Sequence, residues 1–202
     1  IDEPQFDGTT ALGAAAAWGN VKTVEQFIRA GADVNHADRN GVTALHQAAM
    51  RLDVHKVRLL LDAGADPNAQ TAAGLTVLMM AAMYDDAATA EALFTARVNP
   101  ELTDPNGYTA LLWAAQYSAD RALNPLLQSG VNVNHHDLHG VTALMLAASN
   151  GDEDIVRALL DAGARREAVD HDGHTALDYL AMDDAASAAR MAALLKPAAA
   201  AP

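Results

Sequence analysis

Short apolar runs recur along most of this chain in a fixed order. A run opening on Ala44-Leu45 carries Ala48 and Ala49 three and four places further on, the spacing of one helix face. After a polar joint, the run from Val54 to Leu61 places Val57, Leu60 and Leu61 on one side at the same period. Polar segments rich in Gly, Asp and Asn separate such pairs, and these residue types favour turns. The pattern predicts two short helices, a turn, and then the same again.

The repetition is exact in its glycines. Gly8, Gly41, Gly74, Gly107, Gly140 and Gly173 follow one another at intervals of 33, and each opens a phrase of the form Gly-x-Thr-Ala-Leu, with Val77 in place of the alanine in the third copy. The threonine precedes the apolar run, where its hydroxyl can cap the first helix. Gly31, Gly64, Gly130 and Gly163 follow the second helix, where a left-handed residue ends it without a Cβ penalty. One such unit cannot bury its apolar face alone, so the units must stack into a solenoid with two helical layers and protruding turns. Its ends need polar caps.

The second half of the period repeats too, as Leu60-Leu61-Asp62-Ala63-Gly64-Ala65-Asp66-Pro67-Asn68 and Leu159-Leu160-Asp161-Ala162-Gly163-Ala164. With these phrases the chain resembles the ankyrin repeat family over about residues 5–195. The resemblance implies an all-α ankyrin-repeat solenoid with β-turn or hairpin loops. It also implies a single domain over 1–195, with repeats at about 5–37, 38–70, 71–103, 104–136, 137–169 and 170–195, and a disordered tail over 196–202.

Departures from the pattern mark where local adjustment is expected. The joint between the two helices favours glycine, and Gly19 and Gly151 supply it, whereas Leu52, Asp85, Ser118 and Asp184 do not. Leucine adopts a left-handed backbone only at a cost, so the chain should adjust around Leu52. Arg97-Val98-Asn99-Pro100-Glu101 lacks the closing glycine and should form the most irregular turn. Pro125 lies within the second helix of the fourth unit, where it either removes a backbone hydrogen bond or occupies the first turn harmlessly. In the last unit, Leu180 replaces an alanine, Asp183-Asp184 lengthens the joint, and Leu194-Leu195 arrive two places late.

Composition narrows the function. With 13 basic and 26 acidic side chains the net charge is −13, which argues against nucleic-acid phosphates as a partner. No cysteine is present, so thiolate catalysis and cysteine-ligated metals are excluded. Hydrophobic residues make up 51% and aromatic residues 4%, giving a core of Ala and Leu suited to closely packed helices. The apolar run from Leu75 to Met83 is far below the roughly 18 residues that span a bilayer, so no membrane insertion is expected. The chain starts at Ile1, which would place it in the periplasm or outside the cell if a leader had been removed, and in the cytoplasm otherwise.

Catalytic constellations are missing. None of the four serines sits in a nucleophile elbow near patterned His and Asp, the glycines lack a phosphate-loop sequel, and the paired aspartates Asp85-Asp86 and Asp183-Asp184 fall on joints. No enzyme activity and no cofactor are expected. The resemblance instead implies a protein partner held in a concave groove formed by turn tips and the exposed side of the first helices. Trp18, Arg51, Tyr84, Tyr117, Asn150 and Asp183 stand ten places after the repeat glycines, and Met50, Met83 and Gln116 one place earlier. The tips add Phe6, Tyr108, Leu138 and His139. Five of the nine aromatic residues, Phe6, Trp18, Tyr84, Tyr108 and Tyr117, therefore fall on groove places. Phe27 and Phe94 occupy core places, while Trp113 fits either a half-buried position or the groove.

The expected module is monomeric alone and binds a protein with a basic or apolar contact surface, as an inhibitor, immunity protein or chaperone of a bacterial enzyme or toxin. An alternative from another class is a small-ligand or metal-responsive sensor. It would use His135, His136, His139, His171 and His174, which cluster with Asp137 and Asp172 on the last two turns.

Overall fold

The computed structural model describes residues 2–180 and 185–196. Asp183, Asp184 and the tail 197–202 lie outside the described residues. Five helix pairs follow one another: α1 Ala11–Trp18 with α2 Val21–Arg29, α3 Ala44–Met50 with α4 Val54–Asp62, α5 Val77–Met83 with α6 Ala87–Thr95, α7 Ala110–Gln116 with α8 Asp120–Gln128, and α9 Ala143–Asn150 with α10 Glu153–Asp161. A last helix, α11, spans Ala185–Leu195 and packs on α10. Among the described residues there is no strand; the tips carry two isolated antiparallel bridges, Gln70 with Thr76 and His136 with Thr142.

The first helices stack on one another from α1 to α9, and the second helices form a parallel layer from α2 to α10. Between the layers runs one continuous core, in which Leu12, Leu45, Leu78, Leu111 and Leu144 repeat the same buried place. The alanine pairs Ala48-Ala49, Ala81-Ala82, Ala114-Ala115 and Ala147-Ala148 are almost wholly buried. Their small side chains let neighbouring first helices approach closely.

Each first helix begins as the sequence predicts. The hydroxyls of Thr10, Thr43, Thr76, Thr109 and Thr142 accept from the amide three residues on. The side chain at that third place can answer the cap: Nδ1 of His46 accepts from the Thr43 amide at 3.3 Å, and the Met79 and Met145 sulfurs accept from Thr76 and Thr142 at 3.4 Å. In the last unit Asp178 accepts from both the amide and the hydroxyl of Thr175, but residues 176–179 form turns rather than an α-helix.

Between units the chain is stitched by side chains at a fixed offset. Asp2, Asn35, Asn68, Glu101 and Asn134 each accept from a backbone amide 31 places on, at Asp33, Asp66, Asn99, Asn132 and Arg165. The tips are joined as well: the amides of Arg39, Ala72, Leu138 and His171 donate to carbonyls of the preceding tip, at Asp7, Asn40, Asn106 and His139. Pro105 holds the equivalent place between the third and fourth tips and has no amide hydrogen to give. That interface has another link: Asp85 Oδ1 accepts from the amides of Arg121 and Ala122 at 2.8 and 2.9 Å, while Oδ2 takes Arg121 Nε at 2.7 Å. Asp85 thus caps α8, whose own N-cap residue, Ala119, has no side-chain acceptor. Burial works against its charge, but the Arg121 guanidinium and the two amides hold the carboxyl below its ordinary pKa.

Several departures resolve differently from the sequence expectation. Leu52 itself adopts the left-handed conformation, at φ 54°, as do Asp85 at 53° and Ser118 at 55°. Gly151 does so at 76°, but Gly19 has an extended backbone, and a Cβ there would meet the Ala15 carbonyl oxygen at 2.8 Å. The turn at Arg97 is regular: Arg97 takes φ 60°, and the Val98 amide reaches the Leu93 carbonyl just as Ala65 reaches Leu60. At the turn that closes the second helix, one left-handed geometry therefore recurs whether or not glycine is available, at Gly31, Gly64, Arg97, Gly130 and Gly163. Pro125 is the sixth residue of α8, so the first-turn alternative is excluded. Phe27 and Phe94 are half-buried at the core margin rather than within it.

Leu52 has 55% of its surface exposed, so its side chain contributes little packing against which backbone strain must be weighed. Leu52→Gly should raise the unfolding free energy by about 1 kcal/mol in urea denaturation. An equal loss would show that this joint is not strained.

Candidate partner-binding face

The ends of the first helices fix the column identified in the sequence. Trp18 is the last residue of α1, while Arg51, Tyr84 and Tyr117 are the C-cap residues of α3, α5 and α7. The chain turns sharply into the second helix directly after them, so these side chains face solvent. Trp18 keeps 77% of its surface exposed, Tyr84 47% and Tyr117 53%. Asn150 continues the series, but its amide group is spent on the Ala115 and Gln116 carbonyls at 3.0 Å, capping the end of α7 from the next unit. Met50 and Gln116 are exposed and Met83 half-buried.

The turn tips are rigid scaffolds built on aspartate. Asp38, Asp104, Asp137 and Asp170 each accept two backbone amides, from the second and fourth residues on. The repeat glycines close these tips in the left-handed region. Space is also tight, since a Cβ on Gly41 would meet the Ala72 nitrogen at 2.8 Å. Phe6, Leu138 and His139 project from the tips and are exposed, with Phe6 at 90%.

The rings are not equivalent along the face. The Arg51 guanidinium lies 3.6 Å over the Trp18 ring, and that of Arg39 lies 4.9 Å over Phe6. Further along, Tyr108 and Trp113 approach to 5.1 Å between centroids, and Trp113 stacks on Tyr117 at 5.7 Å. These three rings, with Asn106, Gln116, Asp137 and His139, line a cleft of about 510 Å³. Burial raises the Tyr108 pKa, and the nearby carboxylates Asp137 and Asp104 raise it further. Asn106 and Asp137 are not among the groove residues expected from the sequence; Trp113, for which the groove is one of two expected places, lies four residues before Tyr117 on one helix face.

Most of the histidines have structural partners. His36 and His135 reach the Gly8 and Gly107 carbonyls at 3.2 and 3.0 Å, and His136 Nδ1 lies 2.9 Å from the Asp137 carbonyl. Among the described residues the donors close enough to share a metal ion are Asp170, Asp172 and His174, of which the last two belong to the cluster expected from the sequence. Asp170 is already committed to the Asp172 and His174 amides and to the Tyr179 hydroxyl. Burial opposes its charge, but these donors hold its pKa down at about 2, while burial and the Asp170 carboxylate push Tyr179 up to about 12.

Two further clefts, each of about 400 Å³, lie on the second-helix layer: one between α4 and α6 beside Arg58 and Glu91, the other between α6 and α8 beside Phe94 and Pro125. Among the described residues no helix is long and apolar enough to cross a membrane.

His46 is fully buried and works between units. Its Nδ1 accepts from Thr43, so Nε2 carries the proton and donates to the Leu75 carbonyl at 3.3 Å. Burial drives its pKa below 6.5, outweighing the nearby carbonyls. The unfolded chain therefore takes up a proton that the folded one refuses, and stability is lost as pH falls below about 6.5. His46→Met, the residue found at places 79 and 145, should flatten the decline in melting temperature between about pH 6.5 and 5. Circular dichroism melts measure this, and an unchanged slope would show that His46 is not its source.

Stacked pairs of short helices with protruding tips and one exposed face define a helical repeat solenoid of the kind that presents a surface to other proteins. The chain belongs to the ankyrin repeat family: the model for ankyrin repeats in three copies matches residues 1–71, 53–137 and 118–197. Among solved structures it is similar to one described as the crystal structure of EF0377, an ankyrin repeat protein, at 25% identity and a TM-score of 0.82, covering 92% of this chain and 96% of that one. No curated protein matches the sequence. Ankyrin repeats are generally protein–protein interaction modules and are typically non-catalytic.

Proposed function

We propose that this protein is a non-catalytic module that binds a partner protein through the face carrying Phe6, Trp18, Arg51, Tyr84, Tyr108 and Tyr117. Met50, Met83, Gln116, Leu138 and His139 complete the surface. The observation that carries this reading is the exposure of Trp18, Tyr84 and Tyr117 at equivalent helix ends in a chain with nine aromatic residues. Large rings held open to solvent on a rigid frame are the residues that dominate interface energetics.

The partner presents a basic or apolar surface: the net charge of −13 attracts a basic one and speeds its approach, while the exposed rings suit apolar contact. The chain is monomeric when alone, as expected of a one-domain solenoid over residues 1–195 that keeps this face for another protein. In a bacterial cell such a module acts as an inhibitor, immunity protein or chaperone of an enzyme or toxin.

Trp18→Ala/Tyr84→Ala/Tyr117→Ala should weaken capture of the partner from a lysate of the source organism at least about tenfold, as befits loss of interface hot spots. Undiminished capture by a variant with an unchanged circular dichroism spectrum would overturn the reading.

A further inference from the structure

The two ends of the binding face use the same residue types in different states of occupancy. At the N-terminal end each exposed ring is already covered by an arginine of the chain itself, Arg51 over Trp18 and Arg39 over Phe6. At the other end Tyr108, Trp113 and Tyr117 line a cleft of about 510 Å³, and among the described residues no arginine or lysine lies over any of them. The sequence explains why. Between residues 98 and 156 there is one basic residue against seven carboxylates, and that residue, Arg121, is paired with Asp85 at 2.7 Å.

The cleft is therefore an aromatic surface inside an acidic region with no arginine or lysine of its own; His139 is the basic side chain in its lining. Asp137 stands in its wall, held by the amides of His139 and Val141 through Oδ1. A ring face attracts positive charge through its quadrupole, and the nearby carboxylate adds to that attraction. A planar guanidinium suits the place better than an ammonium, because it stacks on rings while presenting its edge to a carboxylate. Both cation–ring pairs elsewhere on this face are made by arginine.

We propose that the cleft is an arginine subsite: the partner places one arginine side chain against Tyr108, Trp113 and Tyr117, with its charge facing Asp137. This rests on the protein-binding reading and supplies the partner with a chemical signature.

The test is a nuclear magnetic resonance titration of the whole chain with acetyl-Gly-Arg-Gly-amide, compared with the lysine peptide and the citrulline peptide, a neutral mimic of arginine. The indole signals are assigned with Trp18→Phe. The arginine peptide should move the Trp113 indole saturably in the millimolar range, leave Trp18 unmoved, and bind at least about tenfold more tightly than citrulline, a difference of about 1.4 kcal/mol. The lysine peptide should be weaker than the arginine peptide. Tyr117→Leu, which keeps an apolar side chain and removes the ring, should abolish the movement, while Trp18→Ala should not.

No saturable change at Trp113, equal binding of citrulline or lysine, or full binding by Tyr117→Leu would overturn the subsite. If the peptide fails while capture still depends on Trp18, Tyr84 and Tyr117, the subsite is wrong and the binding face stands. If capture is indifferent to those rings, the binding face itself fails, whatever the peptide does.

Discussion

Contact between neighbouring helix pairs is the constraint on which the rest of this structure depends. A pair of helices of seven to nine residues has one apolar side and nothing of its own to cover it, and helices this short are marginal in isolation. Each pair is completed by the next. The requirement explains why Ala48-Ala49 and its counterparts are small, why a Cβ on Gly41, Gly74 or Gly140 would crowd the next tip, and why one Asn, Asp or Glu per interface accepts from an amide 31 places on. It also explains the non-glycine residues in the left-handed region. Leu52, Asp85, Arg97 and Ser118 are held at positive φ because the helices on either side are already fixed by their neighbours.

The period, the helix pairs, the threonine caps and the buried leucines could be read from residue order alone, because each depends on residues close together in sequence. Other features depend on atoms one unit away. The cap that Asp85 gives α8 joins residues 36 and 37 places apart, and nothing around Ala119 announces it. Lys56 gives a similar lesson: on an amphipathic helix it looks like a solvated residue, yet it is buried and its Nζ donates to the Ala16 carbonyl at 3.0 Å. The equivalent place in the next unit holds Thr89, whose buried hydroxyl has no partner in the structure. Equivalent positions share a backbone setting and differ in chemistry.

The same distinction governs the proposed binding face. The column from Trp18 to Tyr117 was legible because ten residues always separate the tip glycine from the end of the first helix. The cleft was not, because it combines a tip residue of one unit, Tyr108, with Trp113 from the middle of α7, Tyr117 from its end, and the tip anchor of the next unit, Asp137. Nor could sequence separate the rings covered by Arg51 and Arg39 from those left open. Charge matters here by its distribution rather than its total, since the basic side chains near the face lie at one end and the open rings at the other.

If buried contacts between units hold the fold, the exposed rings are free for recognition. Urea unfolding of two variants compares these roles directly. Ala115→Leu overfills a wholly buried place in α7 and should cost about 1–3 kcal/mol. Trp18→Ala/Tyr84→Ala should change stability by no more than about 0.5 kcal/mol per exposed site. A double aromatic variant destabilised as much as Ala115→Leu would contradict the account, because the rings would then be part of what holds the units together.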